Sequence, residues 1–131
     1  MISVGLGFRA GSSLEELERA LGAALAAREK SVGEIERICV PDFKQADANL
    51  GLLIARLGKP LVPCSPAALR ACPLPTLTQS SELLRRYGVG STSEACALLG
   101  ALAQGKQARL LGPRIIAGSV TCALAISEPS S

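Results

Sequence analysis

Met1-Ile2-Ser3-Val4-Gly5-Leu6-Gly7-Phe8-Arg9-Ala10-Gly11-Ser12-Ser13-Leu14-Glu15-Glu16 opens the chain, and its reading decides the fold. Ile2, Val4 and Leu6 alternate with small residues and run into glycines, the pattern of a buried first strand. Ser12 and Ser13 each have a glutamate three residues later, the capping-box signature of a helix start. The helix that follows places Leu14, Leu17, Leu21, Ala24 and Leu25 on one face. Glu15, Glu16 and Glu18 occupy its first turns and Arg28 and Lys30 its last, which complements the helix dipole.

The same alternation of strand and helix continues downstream. Ile35 to Val40 reads as a second strand closed by Pro41, and Ala46, Leu50, Leu53, Ile54 and Leu57 have helical spacing with Gly58 as the stop. Pro60 to Cys64 is a short third strand, and Ser65-Pro66 opens a brief helix with Ser at the cap and Pro at the first position. Residues 73–79 form a connecting loop, and a helix runs from Ser80 or Ser81 to Gly88. Gly90-Ser91-Thr92-Ser93-Glu94 turns into a further helix with Ala95, Leu98, Leu99 and Leu102 on its apolar face. Ala108 to Leu111 is a fourth strand, and Ile115 to Ile126 a fifth, joined to it as an antiparallel hairpin. The expected architecture is a three-layer α/β/α single domain spanning residues 1–131. Its five-stranded sheet is mostly parallel with the antiparallel hairpin strand at the edge, and residues 127–131 form a frayed tail.

Composition agrees with one domain of this kind. The chain has 131 residues, 48% of them hydrophobic and 19% charged, far from the profile of disorder. Phe8, Phe43 and Tyr87 are its only aromatics, so the core must be aliphatic, as suits parallel strands covered by helices. No charged leader precedes the first strand, and no stretch approaches the roughly 20 apolar residues of a membrane span. A cytoplasmic protein is expected. Cys39, Cys64, Cys72, Cys96 and Cys122 are scattered, no CxxC occurs and no histidine accompanies them. They read as buried reduced thiols, and neither a metal site nor a cofactor is expected.

Charge is unevenly placed. Residues 1–50 carry six bases and eight acids, a balance of −2; residues 51–131 carry eight bases and three acids, a balance of +5. That tilt permits a polyanionic ligand. Nucleic acid is excluded as a partner because no aromatic is interleaved with the bases and no dense basic run occurs.

Open α/β sheets bind ligands beyond the carboxyl ends of their strands, which directs attention to the turns. Gly5, Gly7 and Gly11 let the backbone turn and approach a ligand, Ser12 and Ser13 head a helix N-terminus, and Arg9 can grip a carboxylate or phosphate. The spacing matches neither the dinucleotide fingerprint nor a P-loop, so a plain glycine-rich turn with a capping serine is the competing reading. After the second strand, Lys44 and Asp47 are either a ligand-gripping pair or a lysine beside a helix-capping aspartate. Ser65, Gly90, Ser91, Thr92, Ser93 and Glu94 are capping residues that could also face an anion. Arg114, in the turn after the fourth strand, adds charge to the same rim. No catalytic residue is assigned, because histidine, the commonest acid–base group, is missing.

As a set, these turns resemble the CobE/CbiG C-terminal domain family of cobalamin biosynthesis. Gly5-x-Gly7-x-Arg9-x-Gly11-Ser12-Ser13 with Glu15-Glu16 is similar to that domain's opening. Lys44, Asp47 and Leu50 fall where the family has a lysine, an acidic residue and a leucine. Leu57-Gly58-x-Pro60-Leu61 followed by Ser65 matches its third strand. Gly90-Ser91-Thr92-Ser93-Glu94-Ala95 resembles its Gly-Ser-Val-Ala-Glu-Ala helix start, and the likeness spans residues 2–126. Two departures stand out. Ala46-Asp47 replaces an Asp-Glu pair, which removes proton transfer at position 46, and Arg114 replaces a lysine.

The resemblance implies a domain that binds a corrin-ring or precorrin intermediate as a carrier or accessory factor. Other pathway enzymes could be partners; no membrane is. CbiG proteins look like hydrolases that open a lactone of a cobalt-precorrin, but that activity belongs to a longer protein. Two other implied roles are an enzyme, hydrolase or isomerase, using Lys44 and Asp47, and a scaffold for another pathway enzyme.

Overall fold

The computed structural model of the protein describes residues 1–103, 105 and 107–128. Strands β1 (Ile2–Phe8), β2 (Ile35–Pro41) and β3 (Leu61–Cys64) alternate with helices α1 (Leu14–Ala27) and α2 (Ala48–Leu57). Three helices follow, α3 (Pro66–Arg70), α4 (Ser81–Tyr87) and α5 (Thr92–Leu102), then strands β4 (Gln107–Leu110), β5 (Ile115–Ala117) and β6 (Val120–Glu128). One sheet contains all six strands in the order β3-β2-β1-β6-β4, with β5 paired to β6.

β1, β2 and β3 are mutually parallel, while β6 runs antiparallel to β1, β4 and β5. Five strands therefore point one way and β6 alone points the other. The α/β class and its mostly parallel sheet match the sequence reading, with two changes of detail. The stretch Ile115 to Ile126 is two strands rather than one, so the sheet has six. Gly118, at φ +61°, supplies the left-handed position of the tight turn from Ala117 to Val120. The antiparallel strand also lies inside the sheet, between β1 and β4, rather than at its edge. Ser127 and Glu128, expected in a frayed tail, pair with Ala108 and Gln107, and Arg109 forms an ion pair with Glu128. Residues 129–131 of that tail lie outside the described residues.

Local signals account for the helix boundaries. Ser13 and Glu16 close a full capping box on α1, Asp47 caps α2 through the Leu50 N–H, and Ser65 caps α3 through the Ala68 N–H. Period-2 alternation in β1 sends Ile2, Val4, Leu6 and Phe8 to one face, where they pack with Leu17, Leu21 and Leu25 of α1 and Leu50 and Leu53 of α2. Ser3, Gly5 and Gly7 point to the opposite face, which α5 covers. A Cβ on Gly5 would collide with the Ser93 carbonyl oxygen and come within 2.7 Å of the Ala97 nitrogen. Helix and strand backbones thus touch directly. Ala97, Leu98 and Ala101 of α5 pack with Ala123 and Ala125 of β6 beside this contact.

Among the described residues, no helix is long and apolar enough to cross a membrane, and no group of three or more His, Cys, Asp or Glu side chains could hold a metal. All five cysteines are free thiols, four of them buried. Contact with Cys64, together with burial, pushes the Cys39 thiol far up. At Cys64 the Cys39 contact favours the thiolate, but the Cys96 thiol and burial outweigh it and hold the group at about 12. Burial alone pushes Cys122 up to about 12. These three thiols stay protonated near neutrality and are poor nucleophiles there.

Candidate functional site

β1, β2 and β4 end on the same side of the sheet. The loops after β1 and β2 run towards α1 and α2, whereas β4 is reached from α5 on the opposite face. The crevice at such a reversal is where open α/β sheets place ligands. A cleft of about 470 Å³ lies there, within the usual range for small-molecule sites.

Five of the residues picked out from sequence line this cleft: Gly7, Arg9, Lys44, Thr92 and Arg114. Gly7 must stay small, because a Cβ there would meet the Thr121 Oγ1 at 2.8 Å and the Thr92 Oγ1 at 3.2 Å. Arg9 is exposed at the end of β1. Lys44 sits in a single 3-10 turn after β2, with its Nζ 5.0 Å from the centre of the Phe8 ring and 6.0 Å from that of Phe43. Arg9, Lys44 and Arg114 make no ion pair among the described residues.

The other ten lie behind or beside the lining. Gly5 is buried beneath α5, and Gly90 is packed against Thr78 and Gln79. Gly11 is exposed in a left-handed turn at φ +87°. The Ser12 hydroxyl donates to the Arg9 carbonyl at 2.8 Å and lies 2.6 Å from the Ser119 hydroxyl. Ser13, Asp47 and Ser65 cap helices, so Asp47 does not pair with Lys44; its Oδ1 accepts the Leu50 N–H at 3.0 Å. Ser91 caps α5 by accepting the Glu94 N–H at 3.2 Å, and its hydroxyl is 3.2 Å from that of Ser93.

Glu94 is fully buried. Its Oε1 accepts the N–H groups of Leu77 and Thr78, at 2.6 and 2.9 Å. Its Oε2 accepts the Thr78 hydroxyl at 2.6 Å and the Arg114 N–H at 2.9 Å. Four donors satisfy a carboxylate taken out of water.

Several cleft residues carry no motif that marks them in the sequence. Phe8, Phe43 and Tyr87 all line it, so every aromatic of the chain is at this one place. Phe43 and Tyr87 stack on each other with ring centres 5.8 Å apart and planes 15° from parallel. α4 supplies Ser80 from its cap, Glu82, Leu83 and Arg86; Arg86 lies 5.7 Å from the Tyr87 ring centre and pairs with Glu82 at 3.4 Å. Ser119, from the β5–β6 turn, completes the rim and donates its hydroxyl to Glu16 at 2.9 Å. One signal does exist in the sequence: Phe43 and Tyr87 follow or end an element of an aliphatic chain and are poor candidates for the core, whereas Phe8 is part of it. The rim thus carries four bases against one acid, around aromatic and hydroxyl surface.

Fold and cleft define a class: a single α/β domain with a basic, aromatic-lined cleft beyond its strand ends. Within that class the chain belongs to the family described as cobalamin synthesis G C-terminus, whose model matches residues 2–125, and so to cobalamin biosynthesis. CobE, a protein from the cobalamin (vitamin B12) biosynthetic pathway, has a similar crystal structure, with 30% identity and a TM-score of 0.90 over 100% of this chain and 93% of that one. The cobalamin biosynthesis protein chiG from Agrobacterium tumefaciens str. C58 shares the fold at 24% identity and a TM-score of 0.74, covering 98% of this chain and 99% of that one. A cobalamin biosynthesis protein G homolog from Sulfolobus solfataricus also shares it, at 20% identity and a TM-score of 0.72; 97% of this chain matches only 37% of that longer one. No curated protein sequence matches significantly.

Proposed function

We propose that the domain binds a corrin-ring intermediate of cobalamin biosynthesis in this cleft and acts as its carrier or as an accessory to a modifying enzyme. The observation that carries the reading is the convergence of all three aromatics with Arg9, Lys44, Arg86 and Arg114 on one rim. A corrin precursor is a broad conjugated ring edged by acetate and propionate groups. Aromatic faces suit the ring, and guanidinium or ammonium groups suit the carboxylates. The hydroxyls of Ser80, Thr92, Ser119 and Thr121 offer further hydrogen bonds on the same surface. The open cleft would hold one edge of such a ligand and leave the rest accessible to a partner enzyme. Catalysis by Lys44 and Asp47 together has less support, because the Asp47 carboxylate is engaged at the cap of α2.

Tyr87 makes the test direct. It is the only tyrosine in a chain without tryptophan, so intrinsic emission reports on the cleft alone. Titration with a coloured tetrapyrrole polycarboxylate should quench that emission stoichiometrically and retain the pigment through gel filtration. Removing a charged hydrogen bond is worth about 1.5–3 kcal/mol, so Arg9→Ala and Lys44→Ala should each weaken binding roughly tenfold or more. Unchanged affinity in the double variant would overturn the proposal, and spectral conversion of the pigment would mark an enzyme instead.

A further inference from the structure

We infer that Glu94 is the positioning residue of the cleft, a buried carboxylate that locks two separate walls to the sheet. One wall is α4, which brings Leu83, Arg86 and Tyr87 to the cleft and has no buried residue of its own. Tyr87 packs half-buried against the cluster that includes Leu69 and Val89, and the polar attachments of α4 fix the rest of its place. These are the Ser80 N–H bond to the Gly90 carbonyl at 2.9 Å and the turn before it, where the Thr76 hydroxyl donates to the Thr78 carbonyl at 2.9 Å. Glu94 holds that turn through Leu77 and Thr78. The other wall is the turn after β4, which Glu94 holds through the Arg114 N–H.

Every one of these donors lies outside α5, 16 to 20 residues from Glu94 along the chain. A residue needed only to seat α5 could be apolar, as Ala97 and Leu98 are on the same helix. Burying a carboxylate is unfavourable unless donors compensate it, and here the compensating donors are three backbone N–H groups and one hydroxyl of the two walls. The Arg114 side chain stays free for a ligand while its main chain is fixed. Tyr87 and Arg114, which both line the cleft, thus come from segments tied to one side chain.

Glu94→Gln keeps the shape but replaces one acceptor oxygen by an amide group that can only donate, so in either orientation donors lose their partner. In the ligand-free variant the amides that face the new NH2 group, those of Leu77 and Thr78 or that of Arg114, should exchange at least tenfold faster, roughly the effect of one lost buried hydrogen bond. Val4 and Leu124 in the sheet should keep their protection, and the anisotropy of Tyr87 should fall. Thr78→Val removes a single donor and should free Leu77, Thr78 and Tyr87 in the same direction, which keeps the test alive if Glu94→Gln does not fold. Glu34→Gln, altering a half-buried capping glutamate that does not line the cleft, should change none of these.

The effect on affinity rests on the corrinoid reading: tetrapyrrole binding should weaken about tenfold in Glu94→Gln. The exchange and anisotropy measurements need no ligand, so a wild-type protein that binds no tetrapyrrole would overturn that reading and leave the positioning role intact. Uniform loss of protection across the sheet would overturn the positioning role, as would unchanged protection of Leu77, Thr78 and Arg114 alike in Glu94→Gln.

Discussion

On one face of the sheet, α1 and α2 lay Leu17, Leu21, Leu50 and Leu53 onto Val4, Leu6 and Ile38; on the other, α5 sets Ser93, Ala97 and Gly100 against Ser3, Gly5 and Cys39. The first face is made of long aliphatic side chains, which can shift a little and still fill space. The second brings two backbones into direct contact at Gly5, where nothing can rotate aside. The difference matters for function because the tight face sets the cleft. It brings the first turn of α5, with Thr92 and Glu94, up to the end of β1, where Arg9 begins the rim. The loose face supplies stability; the tight face supplies position.

The strongest way to break this contrast is a methyl group at Gly5. Gly5→Ala would drive Cβ into the Ser93 carbonyl, an obstacle fixed in a helix backbone, and α5 would have to lift. The loss should be at least about 3 kcal/mol, the upper end of what overpacking a core costs. That is a large part of the roughly 5–15 kcal/mol that stabilises a domain. Urea unfolding measures it, and a loss below about 1 kcal/mol would show that the tight face yields like the loose one.

A glycine on the other side should behave in the opposite way. Gly22 lies within α1 and is exposed, and a Cβ added there would meet nothing within 4 Å. Gly22→Ala should stabilise the protein by about 0.5–1 kcal/mol, since alanine removes the entropic penalty of a helical glycine without touching a neighbour. Thermal melting that shows no gain would mean that α1 is less permissive than its packing indicates.

The same two glycines show where sequence reasoning reached and where it ended. The capping box of Ser13 and Glu16 and the alternation in β1 are local, so α1 and its strand were legible at once. Gly5 advertised a close approach but not the body that makes it; that body is α5, nearly ninety residues further on. Gly118-Ser119 carried a turn signal inside an otherwise strand-like run, and the apolar run on either side masked it. In the site, Arg9, Lys44 and Arg114 were legible as bases after strands because α/β topology brings strand ends together. α4 was legible as a helix, but its place on the cleft was not, because it is held by a buried carboxylate whose partners sit in an irregular loop. A glutamate three residues after a serine looks like a cap whether its carboxylate faces water or the interior.

Carboxylates mark the same division. Glu94 clamps the walls from inside the tight face, while Glu16 on α1 clamps the β5–β6 turn at the surface. Glu16 accepts the Ser13 N–H at 3.0 Å and, on its other oxygen, the Ser119 hydroxyl at 2.9 Å. The Ser13 N–H first, then the Ser119 hydroxyl and N–H, hold its carboxyl down at about 2, below the ordinary 4.5. The folded state therefore binds this proton less readily than the unfolded chain does. Its contribution is complete above pH 4.5 and disappears as pH falls through about 2. Glu16→Gln should lower the urea midpoint slightly near neutrality, and its difference from the wild type should close over that window. The effect should be the smallest of the three, since water already solvates the carboxylate and competes for its donors. A difference that stays constant from neutrality down to pH 2 would mean that the capping contacts act through shape, not charge, and the surface clamp would then resemble the packed face more than the buried one.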